Sequence, residues 1–79
     1  YPNPFNPSLN IEYTMEKASS ITISIYDING RLVESILDAY QSAGTHKIKW
    51  NAQEISTGIY IVKLKQDQNI LTQRVVLLK

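Results

Sequence analysis

The sequence predicts an all-β fold, a small antiparallel sandwich of six to seven strands, and three observations carry that prediction. Ile21, Ile23 and Ile25 alternate with Thr22, Ser24 and Tyr26, the period of two that sends successive side chains to opposite faces of a sheet. Turn-forming clusters recur every ~8 to 12 residues, the spacing of an antiparallel sandwich. The one stretch with helical spacing, Leu32, Val33, Ile36 and Leu37, is too short to sustain a helix, and pairing in a hairpin accounts for the same residues.

Taken in order, the chain opens with Tyr1-Pro2-Asn3-Pro4-Phe5-Asn6-Pro7. Each proline lacks an amide donor and pushes the residue before it toward extended geometry. Residues 1–8 therefore read as an extended lead-in from an upstream linker, as in a module cut from a larger protein. Tyr1 and Phe5 can lie over the edge of a core. Ile11, Tyr13 and Met15 alternate with Asn10, Glu12 and Thr14 to give a first strand, and Glu16 to Ser19 turns into the hairpin.

Two geometries compete at the hairpin tip. A two-residue turn at Asn29-Gly30 would set Glu34 opposite Ile25, putting charge beside the apolar face. A type I turn wants Asp first and Gly fourth, which Asp27 and Gly30 supply, with Gly30 left-handed in a G1 bulge. That turn predicts Leu32 opposite Tyr26, Val33 opposite Ile25 and Leu37 opposite Ile21. Gly30 then has a structural role.

Beyond the hairpin, Asp38 to Gly44 is mostly polar and ends in glycine, which reads as a loop. His46, Ile48 and Trp50 alternate with lysines and threonine as a half-buried strand. Asn51 to Gly58 is the longest polar interruption. Gly58 opens a strand with Tyr60, Val62 and Leu64 on one face. A turn at Gln66 to Asn69 returns the chain as Ile70 to Lys79, whose run Val75-Val76-Leu77-Leu78 is apolar on both faces. Such a strand is covered on both sides, or meets a partner on its outer one.

The 79 residues make one domain, 1–79, and a chain this short buries only about 60 to 65% of the surface its unfolded form exposes. Without cysteine no disulfide can help. Eight basic residues face seven acidic ones and are scattered, so a nucleic-acid partner is not expected, because phosphate binding needs a concentrated basic face. No run approaches the ~18 apolar residues of a transmembrane segment.

Chemistry was sought among the polar residues. His46, the single histidine, alternates with Ile48 and Trp50 as a packed strand residue would, so no catalytic residue is assigned. Asp27-Ile28-Asn29-Gly30 matches part of a calcium loop but lacks the first acidic pair and the glutamate at the twelfth position. Neither a metal site nor a cofactor is expected. Trp50 shares its face with Ile48 and reads as core, whereas Tyr40 remains open for stacking on a sugar.

The opening Tyr1-Pro2-Asn3-Pro4-Phe5-Asn6-Pro7 resembles the start of the type A C-terminal sorting domains of the type IX secretion system. Ile25 to Val33, Ala43 to Trp50, Ser56 to Tyr60, and the ending Arg74-Val75-Val76-Leu77-Leu78-Lys79 agree with that family. The middle pieces are similar also to the immunoglobulin-like domain of flagellar hook-capping proteins. The resemblance implies an immunoglobulin-like sandwich with Asp27, Gly30, Gly44, Trp50, Gly58 and Tyr60 defining the fold, and with the two ends, 1–7 and 74–79, as sorting signal. It implies a non-catalytic module that directs an upstream passenger through the outer membrane, after passage through the periplasm, to the cell surface or medium. Its partners would be the outer-membrane secretion translocon, a surface sortase-like peptidase and the passenger in cis. The alternative is an accessory module that stabilises a neighbouring domain or binds polysaccharide.

Overall fold

The three isoleucines of the hairpin form the centre of the molecule: Ile21, Ile23 and Ile25 are fully buried. The computed structural model describes residues 8–78. Its six strands are β1 (Ser8–Met15), β2 (Ser19–Asp27), β3 (Leu32–Gln41), β4 (Gly44–Asn51), β5 (Gly58–Gln66) and β6 (Asn69–Leu77). They form two antiparallel sheets, one of order β3-β2-β5-β6 and one of only β1-β4. The chain crosses between sheets after β1, β3 and β4, while β2-β3 and β5-β6 are hairpins within the larger sheet.

The core is the meeting of alternate residues from both sheets. Tyr13, Met15 and Trp50 come from the small sheet, the three isoleucines with Tyr60, Val62 and Leu77 from the large one. Trp50 meets the ring of Tyr60 edge-on, with centroids 6.0 Å apart, a geometry that suits the quadrupoles of the two rings. The Tyr60 hydroxyl donates to the Ser56 carbonyl at 2.7 Å, pinning the loop that precedes β5. Within that loop Ala52 is buried, and Ile55 N–H donates to its carbonyl.

At the hairpin tip the type I turn with a bulge is present. Gly30 N–H donates to the Asp27 carbonyl at 3.0 Å, Asp27 N–H donates to the Arg31 carbonyl at 2.9 Å, and Gly30 takes a φ of 84°. Leu32 stands opposite Tyr26 as expected. Further along, the expected register is wrong. Glu34, not Val33, faces Ile25; Leu37 faces Ile23, and Ala39 rather than Leu37 faces Ile21. Two irregularities in the ladder leave Val33 and Ile36 without a partner residue. The physical reason lies in β3 itself. Its inward apolar residues, Val33, Ile36, Leu37 and Ala39, are not spaced by two, and each bulge inserts a residue that realigns the next side chain with the core.

Glu34 beside Ile25 was the arrangement that sequence reasoning rejected. It is tolerated because the buried Trp50 indole needs an acceptor: its Nε1–H donates to Glu34 Oε1 at 3.1 Å. A buried donor without a partner costs about 1–3 kcal/mol, so the carboxylate at the rim completes the core.

The expected loop from Asp38 to Gly44 is also corrected. β3 continues to Gln41 and β4 starts at Gly44, leaving Ser42 and Ala43 as the connection. The segment is polar because it is the end of an edge strand, paired on one side only, through Ser20↔Tyr40 and Ser19↔Gln41. The turn requires Gly44, whose φ is 123°, a conformation that L side chains disfavour. His46 closes it by donating from Nε2 to the Ser42 carbonyl at 2.8 Å, and its ring stacks on Tyr13.

Candidate functional site

β6 follows from a two-residue turn in which Asp67 takes a φ of 53°, a conformation Asp tolerates better than most residues. The strand pairs with β5 alone and so forms one free edge of the large sheet. The ladder Leu64↔Leu71, Val62↔Gln73, Tyr60↔Val75 and Gly58↔Leu77 points those four β6 residues inward. Ile70, Thr72, Arg74 and Val76 point outward.

Facing inward does not bury them all. Leu77 is buried and Val75 half-buried, but Leu71 is 67% exposed. A sheet of two strands is too narrow to cover one of four, and the shortfall lies over β6. The result is a groove between β6 and the free edge of β1. One part, about 430 Å³, is lined by Ile11, Tyr13, Val62, Leu64, Leu71 and Gln73 among others. An adjoining hollow of about 140 Å³ lies among Leu9, Ile11, Val62 and Val75.

The outward side of the large sheet carries a second apolar strip. Across neighbouring strands, Leu32 faces Tyr26, Tyr26 faces Ile61, and Ile59 faces Val76. Val76 is 62% exposed, and Leu78, just beyond the strand, 69%. Basic groups flank the strip: Arg74 faces Ile61, and the Lys63 ammonium sits 5.6 Å from the centre of the Tyr26 ring. An edge strand with unpaired backbone and apolar side chains is a template for another chain.

The sequence-based candidates are distributed as follows. Arg74, Val75, Val76, Leu77 and Leu78 lie at the end of β6 and just after it, but they do not share a face: Val75 and Leu77 serve the core while Arg74 and Val76 address solvent. Tyr1, Pro2, Asn3, Pro4, Phe5, Asn6, Pro7 and Lys79 lie outside the described residues. Asp27, Trp50, Gly58 and Tyr60 gather near one end of the sandwich, where Asp27 faces Tyr60; Gly44 lies at the other, opposite Met15. Gly58 keeps ordinary backbone, and a Cβ there would meet the Tyr60 ring at 3.6 Å. Tyr40 is on β3 and exposed. Sequence reasoning missed Ile59, Ile61, Ile70 and Leu71 as parts of the surface. The Ile70-Leu71 pair directly after a polar turn was the available clue.

Electrostatics at the hairpin tip hold a turn. Asp27 Oδ1 accepts the N–H groups of Asn29 and Arg31, both at 2.9 Å, and Oδ2 lies 3.4 Å from Arg31 Nε. The Arg31 backbone bond, with that from Asn29 and the Arg31 charge, lowers the Asp27 pKa below its ordinary 3.8, against an opposing effect of burial. A lowered folded-state pKa stabilises above the unfolded value and is lost as pH falls through the folded one. The melting-temperature advantage of the native chain over Asp27→Asn is therefore expected to be full near neutral pH and to shrink below pH ~4; paired thermal melts across pH 2–7 check it.

Among the described residues no cluster of three or more His, Cys, Asp or Glu could hold a metal ion, and no helix is long and apolar enough to cross a membrane. The arrangement offers association through strand edge and apolar face. Comparison with known families finds one, described as secretion system C-terminal sorting domain, that matches residues 1–78. No curated protein and no solved structure matches the chain.

Proposed function

The chain belongs to the secretion system C-terminal sorting domain family, and from that premise we propose that β6 is the part of the address that the secretion machinery reads. Sorting through type IX secretion, toward the cell surface or the medium, is the role of the family. The finer reading is that the domain leads a passenger protein in cis from the periplasm through the outer membrane. A translocon component adds a strand to the free edge of β6 or packs on its outward strip, and a surface sortase-like peptidase acts afterwards. The domain performs no chemistry of its own.

One observation carries this reading. β6 is a full-length strand on an open edge, and its last outward residues, Val76 and Leu78, are apolar and exposed. Strand addition draws affinity from main-chain hydrogen bonds and specificity from alternate side chains, which is the pattern that Arg74, Val76 and Leu78 present.

The test is a reporter fused to the domain in a host with this system. Removing residues 74–79 would also remove buried Leu77, so the informative variant is Val76→Lys with Leu78→Lys. Substitutions at exposed positions stay within about ±0.5 kcal/mol, so the fusion should melt as before while surface delivery falls about tenfold, equivalent to ~1.4 kcal/mol of recognition. Undiminished delivery of the folded double variant refutes the role of the strip. Exposed Tyr40 keeps the second reading, polysaccharide binding, open to its own test: binding of the module to insoluble glycan that Tyr40→Ala abolishes.

A further inference from the structure

The end of the sandwich where β1 begins is also the end where β6 finishes. Leu9, the second residue of β1, and Val75, near the end of β6, line one hollow with Ile11 and Val62 between them. Its volume, about 140 Å³, is close to the ~150 Å³ of an engineered apolar cavity that takes up a benzene ring. Leu9, Ile11 and Val75 are half-buried around it. The space therefore has the size and chemistry of one aromatic side chain.

The chain that enters β1 supplies such a side chain. Seven residues precede Ser8, and among them Phe5 stands four positions before Leu9. At no more than ~3.6 Å per residue, the Cα of Phe5 is within about 14 Å of that of Leu9, whereas Tyr1 has a far longer tether. Asn6-Pro7 is a dipeptide that favours a change of direction, which is what returning a side chain toward Leu9 requires. The fixed φ of Pro4 and Pro7 lowers the entropy lost on ordering the segment.

We propose that the Phe5 ring docks in the hollow between β1 and β6, so that the lead-in packs beside the end of β6 and the two terminal segments form one continuous surface. The occupant is this chain's own segment, not a partner's. Residues 1–7 thereby cover the part of the core that a two-stranded sheet leaves open. The inference concerns the fold and stands apart from the sorting reading.

The experiment uses the whole 79-residue chain. Nuclear Overhauser contacts should connect the Phe5 ring to methyl groups of Leu9 and Val75. Phe5→Ala should lower the melting temperature by about 5 °C, within the range that a loss near 1 kcal/mol produces in a domain of this size, while Tyr1→Ala changes it by less than half as much. In a Val75→Ala background the effect of Phe5→Ala should shrink by at least half, since contacting residues are not additive. Absence of those ring contacts in the isolated chain, or an unchanged melting temperature for Phe5→Ala, overturns the proposal. Ring contacts that form only on adding a secretion component overturn it also, because the occupant is then a partner. None of these readouts depends on export, so its failure is distinguishable from failure of the sorting reading.

Discussion

Replacing Trp50 by alanine is expected to leave the domain largely unfolded. Trp50 is 1% exposed, meets Tyr60 edge-on, and is tied through its indole N–H to Glu34. Truncating a buried tryptophan costs about 3–5 kcal/mol, and a chain of this length has a total stability on the order of 4–12 kcal/mol. The loss consumes most of what is available, because the residue joins three parts of the molecule: the small sheet, β5, and the bulged edge strand β3. Urea unfolding followed by tryptophan-independent circular dichroism measures the effect. Trp50→Phe should recover much of the packing but leave Glu34 without its donor. A midpoint for Trp50→Ala within error of the native one would contradict this account of the core.

The second large effect is expected at Ile23. It lies mid-strand in β2, fully buried, with Leu37 opposite on one side and Leu64 on the other. Ile23→Ala removes side-chain volume where neither sheet can collapse, and an isoleucine truncation of that kind costs about 2–5 kcal/mol. Ile70→Ala, the same chemical change on the exposed edge strand, should cost less than about 0.5 kcal/mol. Denaturant midpoints of the two variants, measured side by side, test the assignment of inside and outside; similar losses for both would show that β6 is covered in solution.

The alternating isoleucines made β2 legible, because a period of two against a buried face leaves little freedom of register. Tyr60, Val62 and Leu64 were legible for the same reason, and the Asp27 to Gly30 turn because its residues have few other uses. β3 was legible only as a strand. Its two bulges are set by packing against residues distant in sequence, above all the Trp50 indole that draws Glu34 to the rim. The end of β3 read as a loop because polarity marks an exposed edge as readily as a connection. For the candidate surface, the apolar residues 75–78 were visible in the sequence. Their division between core and solvent was not, since it depends on which strand lies beside them and on how far the smaller sheet reaches.

The two bulges in β3 bear on how this domain travels among other proteins. The large sheet has two outer borders, β3 and β6. A bulge twists a border strand and breaks its even row of amides and carbonyls, which discourages a neighbouring chain from zipping onto it. β3 carries two such interruptions, whereas the pairing of β5 with β6 runs from Gly58↔Leu77 to Gln66↔Asn69 without one. The sheet is therefore sticky on one side only. A molecule with one sticky border can join a single partner strand, or a single copy of itself, but cannot grow into a ribbon of stacked copies; crowding stops at pairs.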